Sequence, residues 1–346
     1  MRLLILTQKI DSDDPVLGFF HTWVEKLSPH FEKISVVCLE KGRYNLPSNI
    51  KVYSLGKEAG QNKLKYVSKF FVYIIGLARE YDAVFVHMNQ EYVLLGGLFW
   101  KLLGKRVYLW RNHPEGSILT RIAVALSYKV FCTSPYSFTA KYKKTSLLPV
   151  GIDTDKFKVT RAQVERKQNS ILFLGRMSPI KKPEILIEAL SILHKEQVDF
   201  QANFYGDPLP KDKTYYASLL EKAASLGLDS KIIFHKAVAN DKTPAIYSEH
   251  EIFVNLTPTG SMDKTILEAT ACGCIPIVSN DAYKGIFEDG MLTNGEHTDL
   301  AEKIDFWLKS SSEAKAATSG PIEGYVLEKH SLGALIEQLY VLISKS

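Results

Sequence analysis

The sequence predicts an α/β protein built from two doubly wound domains, each with a parallel sheet covered by helices. Short apolar runs of strand length alternate along the chain with longer segments of helical periodicity. The chain has 346 residues, more than one hydrophobic core usually fills. Hydrophobic residues make up 46% and charged residues 23%, a composition typical of folded globular proteins.

The first half contains seven segments that we predict as strands, with helices between several of them. They are short and apolar, as strands buried on both faces of a parallel sheet should be. The predicted strands are Leu3–Leu6, Ile34–Leu39, Val52–Ser54, Ala83–Val86, Val107–Trp110, Lys129–Cys132 and Ser146–Leu148. A doubly wound domain over residues 1–155 follows.

The second half repeats the alternation after a polar segment at Pro149–Phe157, which we take as the domain boundary. A second domain is predicted over residues 156–325, and a C-terminal segment, 326–346, contains an amphipathic helix at Leu332–Ile343. The predicted strands of the second domain are Ile171–Leu174, Gln201–Tyr205, Lys231–Phe234, Ile252–Leu256 and Ile275–Val278.

The stretch from Asn255 to Asn280 has a pattern suited to a nucleotide. A buried strand is followed by a polar turn with Gly260, a helix beginning near Met262, and a second buried strand. Backbone N–H groups at a helix start can bind an anion such as phosphate. Glu268 would lie in the early turns of this helix, where a carboxylate could accept hydrogen bonds from a ribose diol. The alternative is a solvated helix glutamate.

A second strand, turn and helix at Ile171–Leu193 places two cations at the carboxyl end of a parallel strand. Open α/β sheets bind their ligands at this edge. Arg176 offers a bidentate fork to phosphate oxygens and Lys181 a compact charge, so together they could hold a diphosphate. Either residue alone would more often be an ordinary surface charge.

Two residues of the first domain could contribute from the other side of a cleft between the domains. Gly18 follows the first strand in a loop and could allow close backbone approach to a phosphate or sugar, although it could equally be an ordinary loop glycine. His113 lies beyond the strand that ends near Trp110 and could bond a hydroxyl or transfer a proton. A lone histidine is more often a residue without such a role.

These segments together resemble the retaining glycosyltransferases of family 4, which have the GT-B fold of two Rossmann-like domains. The main matches are G-R-M-S-P-I-K-K at Gly175–Lys182 and L-E-A-T-A-C-G-C-I-P-I-V at Leu267–Val278. Y-G-D-P at Tyr205–Pro208 and P-V-G-I-D-T-D-K-F at Pro149–Phe157 are shorter matches. The resemblance covers nearly the whole chain.

The resemblance implies a metal-independent transferase that moves a sugar from a nucleoside diphosphate sugar to a hydroxyl of a glycan or lipid-linked glycan. No cofactor or metal is expected. The catalytic residues would be His113, near the transferred sugar, with Arg176 and Lys181 at the diphosphate. The residues expected to bind the donor are Gly18, Arg176, Lys181, Gly206, Ser261, Met262, Asp263, Lys264, Thr265 and Glu268.

One departure concerns sugar recognition. The family usually has a glutamate eight positions before Glu268, where this chain has Gly260. We expect Asp263, or the backbone of Ser261–Lys264, to take over contacts to the donor sugar or its phosphate.

Three other functions remain open at this stage. An NAD-dependent dehydrogenase fits poorly because no Gly-x-Gly-x-x-Gly follows the first strand. A nucleotide-sugar epimerase of the same fold would need no acceptor. A non-catalytic nucleotide-sugar-binding protein is supported only by the missing glutamate.

The remaining features concern location and partners. Cys38, Cys132, Cys272 and Cys274 lie in or beside apolar segments and are expected to be buried free thiols. The first residues lack the pattern of a secretion signal, so a cytoplasmic protein is expected. Residues 62–79 combine lysines with apolar residues and could rest on the anionic inner face of a membrane, or form a packed surface helix. A net charge of +5 without any motif for nucleic acid argues against that partner.

Overall fold

The computed structural model describes residues 1–14, 16–161 and 163–345 and divides the chain into two compact units. Unit 1 comprises Met1–Gly151 together with the C-terminal segment from Leu332, and unit 2 comprises Ile152–Ser331. The first domain was predicted to end at residue 155 and the C-terminal segment to begin at residue 326. The return of the last segment to unit 1 was not predicted, because amphipathic spacing does not identify the surface that a helix covers.

Unit 1 contains a seven-stranded parallel sheet, as predicted. Its spatial order is β3-β2-β1-β4-β5-β6-β7. Successive strands are added on one side of β1 as far as β3 and then, from β4 onward, on its other side. The strands are β1 Arg2–Ile10, β2 Lys33–Lys41, β3 Ile50–Ser54, β4 Ala83–His87, β5 Arg106–Trp110, β6 Lys129–Cys132 and β7 Thr145–Leu147.

Helices cover both faces of this sheet. They are α1 Gly18–Leu27, α2 Lys63–Gly76, α3 Gln90–Leu102, α4 Ile118–Leu126 and α12 Leu332–Ser344. α1 and α12 share one apolar core with one face, and α2, α3 and α4 share a second core with the other. This division follows from right-handed crossovers, since the chain moves one way across the sheet through α1 and the other way through α2 to α4.

Unit 2 contains a five-stranded parallel sheet in the order β10-β9-β8-β11-β12. The strands are β8 Ser170–Leu174, β9 Gln201–Tyr205, β10 Ile232–His235, β11 Ile252–Asn255 and β12 Ile275–Val278. The helices are α5 Thr154–Arg161, α6 Pro183–Lys195, α7 Lys213–Ser225, α8 Thr243–Glu249, α9 Lys264–Ala271, α10 His297–Lys309 and α11 Ser312–Lys329. All five strands predicted for the second domain are confirmed to within one or two residues.

The four cysteines are free and buried, as expected. Burial raises the pKa of the Cys38 thiol to about 12, so this thiol stays protonated at neutral pH.

Helix α12 belongs to the core of unit 1. Leu335 and Leu339 are fully buried there, and the Tyr108 hydroxyl donates to the carbonyl oxygen of Ile343 at 3.2 Å. The helix predicted from its periodicity is therefore a structural part of the first unit.

We predict that Leu339→Ala lowers the free energy of unfolding of unit 1 by about 2–5 kcal/mol, because it leaves a cavity in a closed core. Denaturant unfolding of the full chain measures it. Gln338→Ala, an exposed change one residue earlier on α12, is the control and should have little effect. Equal effects of the two changes would contradict the placement of α12.

Candidate functional site

The candidate site of unit 2 lies at the carboxyl ends of β8 and β11, which are hydrogen-bonded neighbours in the sheet. The turn after β8 contains Arg176 and ends in a short 3-10 turn, Pro179–Lys181. The turn after β11 runs into α9, which begins at Lys264. The two turns predicted to bind a diphosphate are therefore adjacent, because parallel neighbours end at the same edge of a sheet.

Asp263 fixes the start of α9. As the N-cap residue its carboxylate accepts hydrogen bonds from the Thr265 amide at 3.2 Å and the Thr265 hydroxyl at 3.0 Å. Asp is among the residues preferred at this position because its oxygen satisfies an otherwise unpaired helix amide. This cap fixes the start of the helix at Lys264, two residues after Met262, near which a start was expected. It also means that one of the helix-start amides expected to meet an anion already has a partner.

Asp263 also binds Lys181 from the neighbouring turn. The Lys181 ammonium lies 2.5 Å from Asp263 Oδ2 and donates to the Thr257 hydroxyl at 2.9 Å. The Asn255 amide at 3.3 Å and the Thr257 hydroxyl at 3.2 Å donate to the same carboxylate oxygen. Both oxygens of Asp263 thus have partners within unit 2, and a direct contact to a donor would have to displace one of them.

The ionisation of Asp263 reflects this set of partners. Burial by itself would raise the pKa of the carboxyl, but the Lys181 charge and the hydrogen bonds from Lys181, Asn255 and Thr265 lower it to about 2. The pair is thus charged at neutral pH. Since the side chains of Lys181 and Asp263 are only 18% and 15% exposed, solvent screens their attraction little.

Glu268 lies one helical turn beyond Lys264 on α9, and its side chain is buried. The hydroxyl of the fully buried Tyr247 donates to Glu268 Oε2 at 3.3 Å. Burial raises the pKa of Glu268, and the nearby Lys264 charge opposes that rise; burial also lowers the pKa of the Lys264 ammonium. Glu268 is therefore not the solvated helix glutamate of the alternative interpretation.

Arg176 is exposed at the edge of unit 2, in a turn that the backbone holds on both sides. The amide of Gly175 donates to the Tyr205 carbonyl at 3.0 Å, and the amide of Met177 donates to the Asp207 carbonyl at 3.2 Å. These bonds tie the turn after β8 to the turn after β9. The backbone of Arg176 is thus held in place by its neighbours, while its side chain is exposed to solvent.

Gly206 permits this close approach of two turns. Its φ is +153°, and a Cβ there would lie 1.8 Å from the carbonyl oxygen of Gly175. The glycine expected to bind the donor thus has a definite structural function, since no larger residue fits against the Arg176 turn.

Lys182 has a left-handed backbone, with φ 50° and ψ 44°, at the N-cap of α6. Glycine adopts this conformation without strain, whereas a residue with a side chain adopts it rarely. The turn before α6 therefore has an uncommon backbone conformation at a lysine.

The other residues expected near the donor lie in the turn before α9. The carbonyl oxygen of Ser261 accepts from the Asn280 side-chain amide at 2.9 Å, and Met262 is buried. Gly260, at the position of the absent glutamate, is also buried. The Tyr283 hydroxyl donates to the Asp263 carbonyl oxygen at 2.9 Å. The turn is thus held by contacts from the loop after β12.

The two candidates of the first half lie in unit 1. Gly18 is the first residue of α1 rather than a loop residue, and a Cβ on it would lie 3.0 Å from the Ser12 carbonyl oxygen. A larger residue would therefore press against the chain's own loop at Ser12. His113 is exposed after β5, with Nδ1 3.0 Å from both the amide nitrogen and the carbonyl oxygen of Glu115.

Sequence reasoning missed three residues that support the site. Tyr247 comes from α8, and Asn255 and Thr257 lie at and just after the end of β11. No motif marks them, because their contacts depend on how α8 and the turn after β11 pack. The pairing of Lys264 with Glu268 could have been found, since residues four apart on a helix are neighbours.

We predict that Asp263 stabilises unit 2 in its ionised form. Its pKa of about 2 is below the value of 3.8 for an unperturbed carboxyl, so its contribution is present above about pH 4 and is lost as the pH falls toward 2. Asp263→Asn should remove this part of the pH dependence and lower the unfolding free energy at pH 7 by about 2 kcal/mol. Denaturant unfolding between pH 2 and 7 of both proteins measures it, and parallel curves would contradict it.

Part of the second unit is similar to a known protein family. Residues 168–310 match the family described as "Glycosyl transferases group 1". This segment contains Arg176, Lys181, Gly206, Asp263 and Glu268.

Curated relatives match over part of their own length. Mannosylfructose-phosphate synthase of Agrobacterium fabrum is 26% identical over 176 residues, which are 48% of this chain and 38% of that protein. D-inositol 3-phosphate glycosyltransferase of Rhodococcus jostii is 25% identical over 142 residues, 39% of this chain and 31% of that protein. The matches thus span less than half of each relative.

Solved structures match over the whole chain. Anabaena Alr3699/HepE in complex with UDP has a TM-score of 0.78 at 20% identity, and its complex with UDP-glucose has a TM-score of 0.76 at 21% identity. Each alignment covers 100% of both chains. The chain therefore has the GT-B fold, and residues 168–310 of its second unit are similar to the glycosyl transferases group 1 family.

Proposed function

We propose that this chain is a retaining glycosyltransferase that moves a sugar from a nucleoside diphosphate sugar to a hydroxyl acceptor. The observation that carries the proposal is the arrangement of an exposed arginine, a partly buried lysine–aspartate pair and a buried glutamate at one edge of the sheet of unit 2. All of these residues lie in the segment that matches the family.

The donor diphosphate would be bound by Arg176 and Lys181. The Lys181 ammonium has three N–H donors, of which two are directed at Asp263 and Thr257, so the third remains for a phosphate oxygen. The paired Asp263 offsets the charge of Lys181. Arg176 would therefore supply most of the positive charge and, through its planar fork, a bidentate contact.

Glu268 would bind the ribose of the donor. A carboxylate accepts the two O–H groups of a diol, and such hydrogen bonds favour its ionised form over the protonated form that burial favours. Tyr247 holds one oxygen, which fixes the orientation of the carboxylate. Because Glu268 is buried, a ligand without a diol would leave its carboxylate without hydrogen-bond donors, which is unfavourable. The site should therefore favour ligands that contain ribose.

Transfer would be assisted mainly by electrostatics. As the bond between sugar and phosphate breaks, negative charge grows on the nucleoside diphosphate while the sugar gains oxocarbenium character. Lys181 is held by Asp263 and Thr257 before the reaction, so it would stabilise that charge with little reorganisation, and the exposed Arg176 would add its charge beside it. The configuration of the transferred sugar is proposed to be retained, as in the family that the motifs resemble.

The acceptor is proposed to be a hydroxyl of a glycan or lipid-linked glycan, bound through unit 1. His113 of the same unit is proposed to lie near the transferred sugar, and Gly18 to allow close backbone approach of the donor. A lipid-linked acceptor would be met at a membrane, so we place the reaction in the cytoplasm at its inner face. Within the described residues no helix is long and apolar enough to span a bilayer.

We predict that Arg176→Ala lowers turnover about 100- to 1000-fold while leaving the unfolding free energy nearly unchanged, because the exposed guanidinium acts on the transition state and not on packing. UDP-glucose is the first donor to test, since HepE was crystallised with it. Product nucleotide is measured with and without sugar acceptors.

Two further variants sharpen this test. Arg176→Lys keeps the charge but loses the fork and should recover only part of the rate. Arg121→Ala changes an exposed arginine of α4 in unit 1 and serves as the control. It should leave turnover in solution unchanged. If the unmodified chain binds the donor but does not turn it over, a non-catalytic binding protein is favoured. If it converts the donor to an isomeric nucleotide sugar when no acceptor is present, an epimerase is favoured.

We predict that transfer proceeds in excess chelator, because protein cations are proposed to carry out the charge stabilisation that a metal would otherwise supply. Among the described residues no cluster of three or more His, Cys, Asp and Glu side chains is arranged to hold a metal ion. Initial rates with EDTA and with added Mg²⁺ or Mn²⁺ measure it. Loss of activity in EDTA that Mg²⁺ or Mn²⁺ restores would contradict the prediction.

A further inference from the structure

We propose that the outer surface of α2, α3 and α4 docks on an anionic lipid membrane. We call this surface the three-helix face. It extends well beyond the segment that the sequence indicated, which covered α2 alone. Its defining residues are Leu64, Val72 and Ile75 with Lys63, Lys65 and Lys69 on α2, Leu98, Leu102 and Lys101 on α3, and Ile118, Leu119, Ile122 and Arg121 on α4.

The three helices form one continuous layer. The Phe70 ring of α2 packs against Tyr92 and Trp100 of α3, with ring centroids 5.7 and 6.1 Å apart. A Cβ on Gly97 of α3 would lie 3.0 Å from Leu126 of α4. The inner sides of all three helices pack against the sheet in one apolar core. Their outer sides therefore face away from the sheet together.

Large apolar side chains are exposed along this layer in the full chain. Leu64 is 81% exposed, Leu98 is 65%, Leu102 is 87% and Ile118 is 74%. On α2, Leu64, Val72 and Ile75 fall on one stripe at helical spacing, and on α3 Leu98 and Leu102 are one turn apart. Such a contiguous set of exposed apolar side chains usually marks a surface with a partner.

The charge of the layer identifies the partner. α2, α3 and α4 carry five basic residues and one acidic residue, a net charge of +4, whereas the whole chain has a net charge of +5. The three lysines of α2 stand beside its apolar stripe without any acidic residue in that helix. Leucine and isoleucine side chains flanked by lysine are typical of surfaces that enter the interface of an anionic bilayer.

A second copy of the chain is a poorer occupant. A twofold dimer places the same patch on both partners, so the cations of one face would approach those of the other. Like charges brought together oppose association, whereas an anionic bilayer complements both the charges and the apolar side chains. The inference does not depend on the proposed transferase activity, although it would bring the enzyme to a lipid-linked acceptor.

Vesicle binding of the full chain tests the proposal. The wild type should bind vesicles of phosphatidylcholine with about one third phosphatidylglycerol, bind pure phosphatidylcholine far less, and lose binding as salt is added. The triple variant Lys63→Gln/Lys65→Gln/Lys69→Gln should bind about a hundredfold more weakly, at about fivefold per lysine. Leu98→Ser/Leu102→Ser should weaken binding about tenfold or more.

Matched controls change the same residue types elsewhere. Lys195→Gln/Lys211→Gln/Lys213→Gln alters the net charge equally on exposed lysines of unit 2, and Phe306→Ser removes an exposed apolar side chain of α10. Both should bind like the wild type. Equal losses in controls and test variants, or absence of binding to anionic vesicles, would overturn the proposal.

Two measurements distinguish membrane docking from self-association and from a loss of donor turnover. Sedimentation equilibrium without lipid measures whether the chain forms oligomers through this face. An oligomer of the wild type that is absent in Leu98→Ser/Leu102→Ser would show that the face binds a second copy, and it would overturn the proposal. Donor turnover in vesicle-free solution should be the same in wild type and in all test variants. Failure of the proposed transferase would therefore leave the vesicle result intact, and the reverse also holds.

Discussion

The candidate site depends on the ion pair between Lys181 and Asp263. Lys181 ends the turn after β8, and Asp263 caps the helix that follows β11, so the pair joins the two turns at the edge of the sheet. Asn255 and Thr257 add hydrogen bonds to the same carboxylate. One partly buried aspartate thus sets the position of a cation and the start of α9, and through that helix the position of Glu268.

This arrangement bears on the one departure from the family motif, the absence of a glutamate at position 260. Gly260 stands where the family has a glutamate, and the carboxylate of Asp263, three residues later, is directed at Lys181 within the unit. We therefore propose that Asp263 acts through Lys181, and a direct contact of Asp263 with the donor would have to displace one of its partners. With Lys181 largely compensated, the exposed Arg176 becomes the main source of positive charge, which makes it the residue on which the proposed chemistry most depends.

Much of the fold could be predicted from the sequence because each strand is a short apolar run and each turn at the sheet edge has glycine or charged residues. The candidate residues Arg176, Lys181 and Glu268 were found by the same means, since their positions follow from strand, turn and helix. The ion pair of Asp263 with Lys181, the support of Glu268 by Tyr247 and the return of α12 to unit 1 could not be predicted. Each of them depends on contacts between elements separated in sequence, which local patterns do not encode. The cap that Asp263 makes on α9 is local, because its carboxylate binds the amide two residues further on.

A double-mutant cycle on Lys181→Met and Asp263→Asn tests the central claim most directly. The unfolding free energy of unit 2 is measured at pH 7 for the wild type, both single variants and the double variant. We expect a coupling energy of about 1–3 kcal/mol, because each single change leaves the other charge buried without its partner. Additive effects, with a coupling energy near zero, would contradict the claim that this pair organises the site.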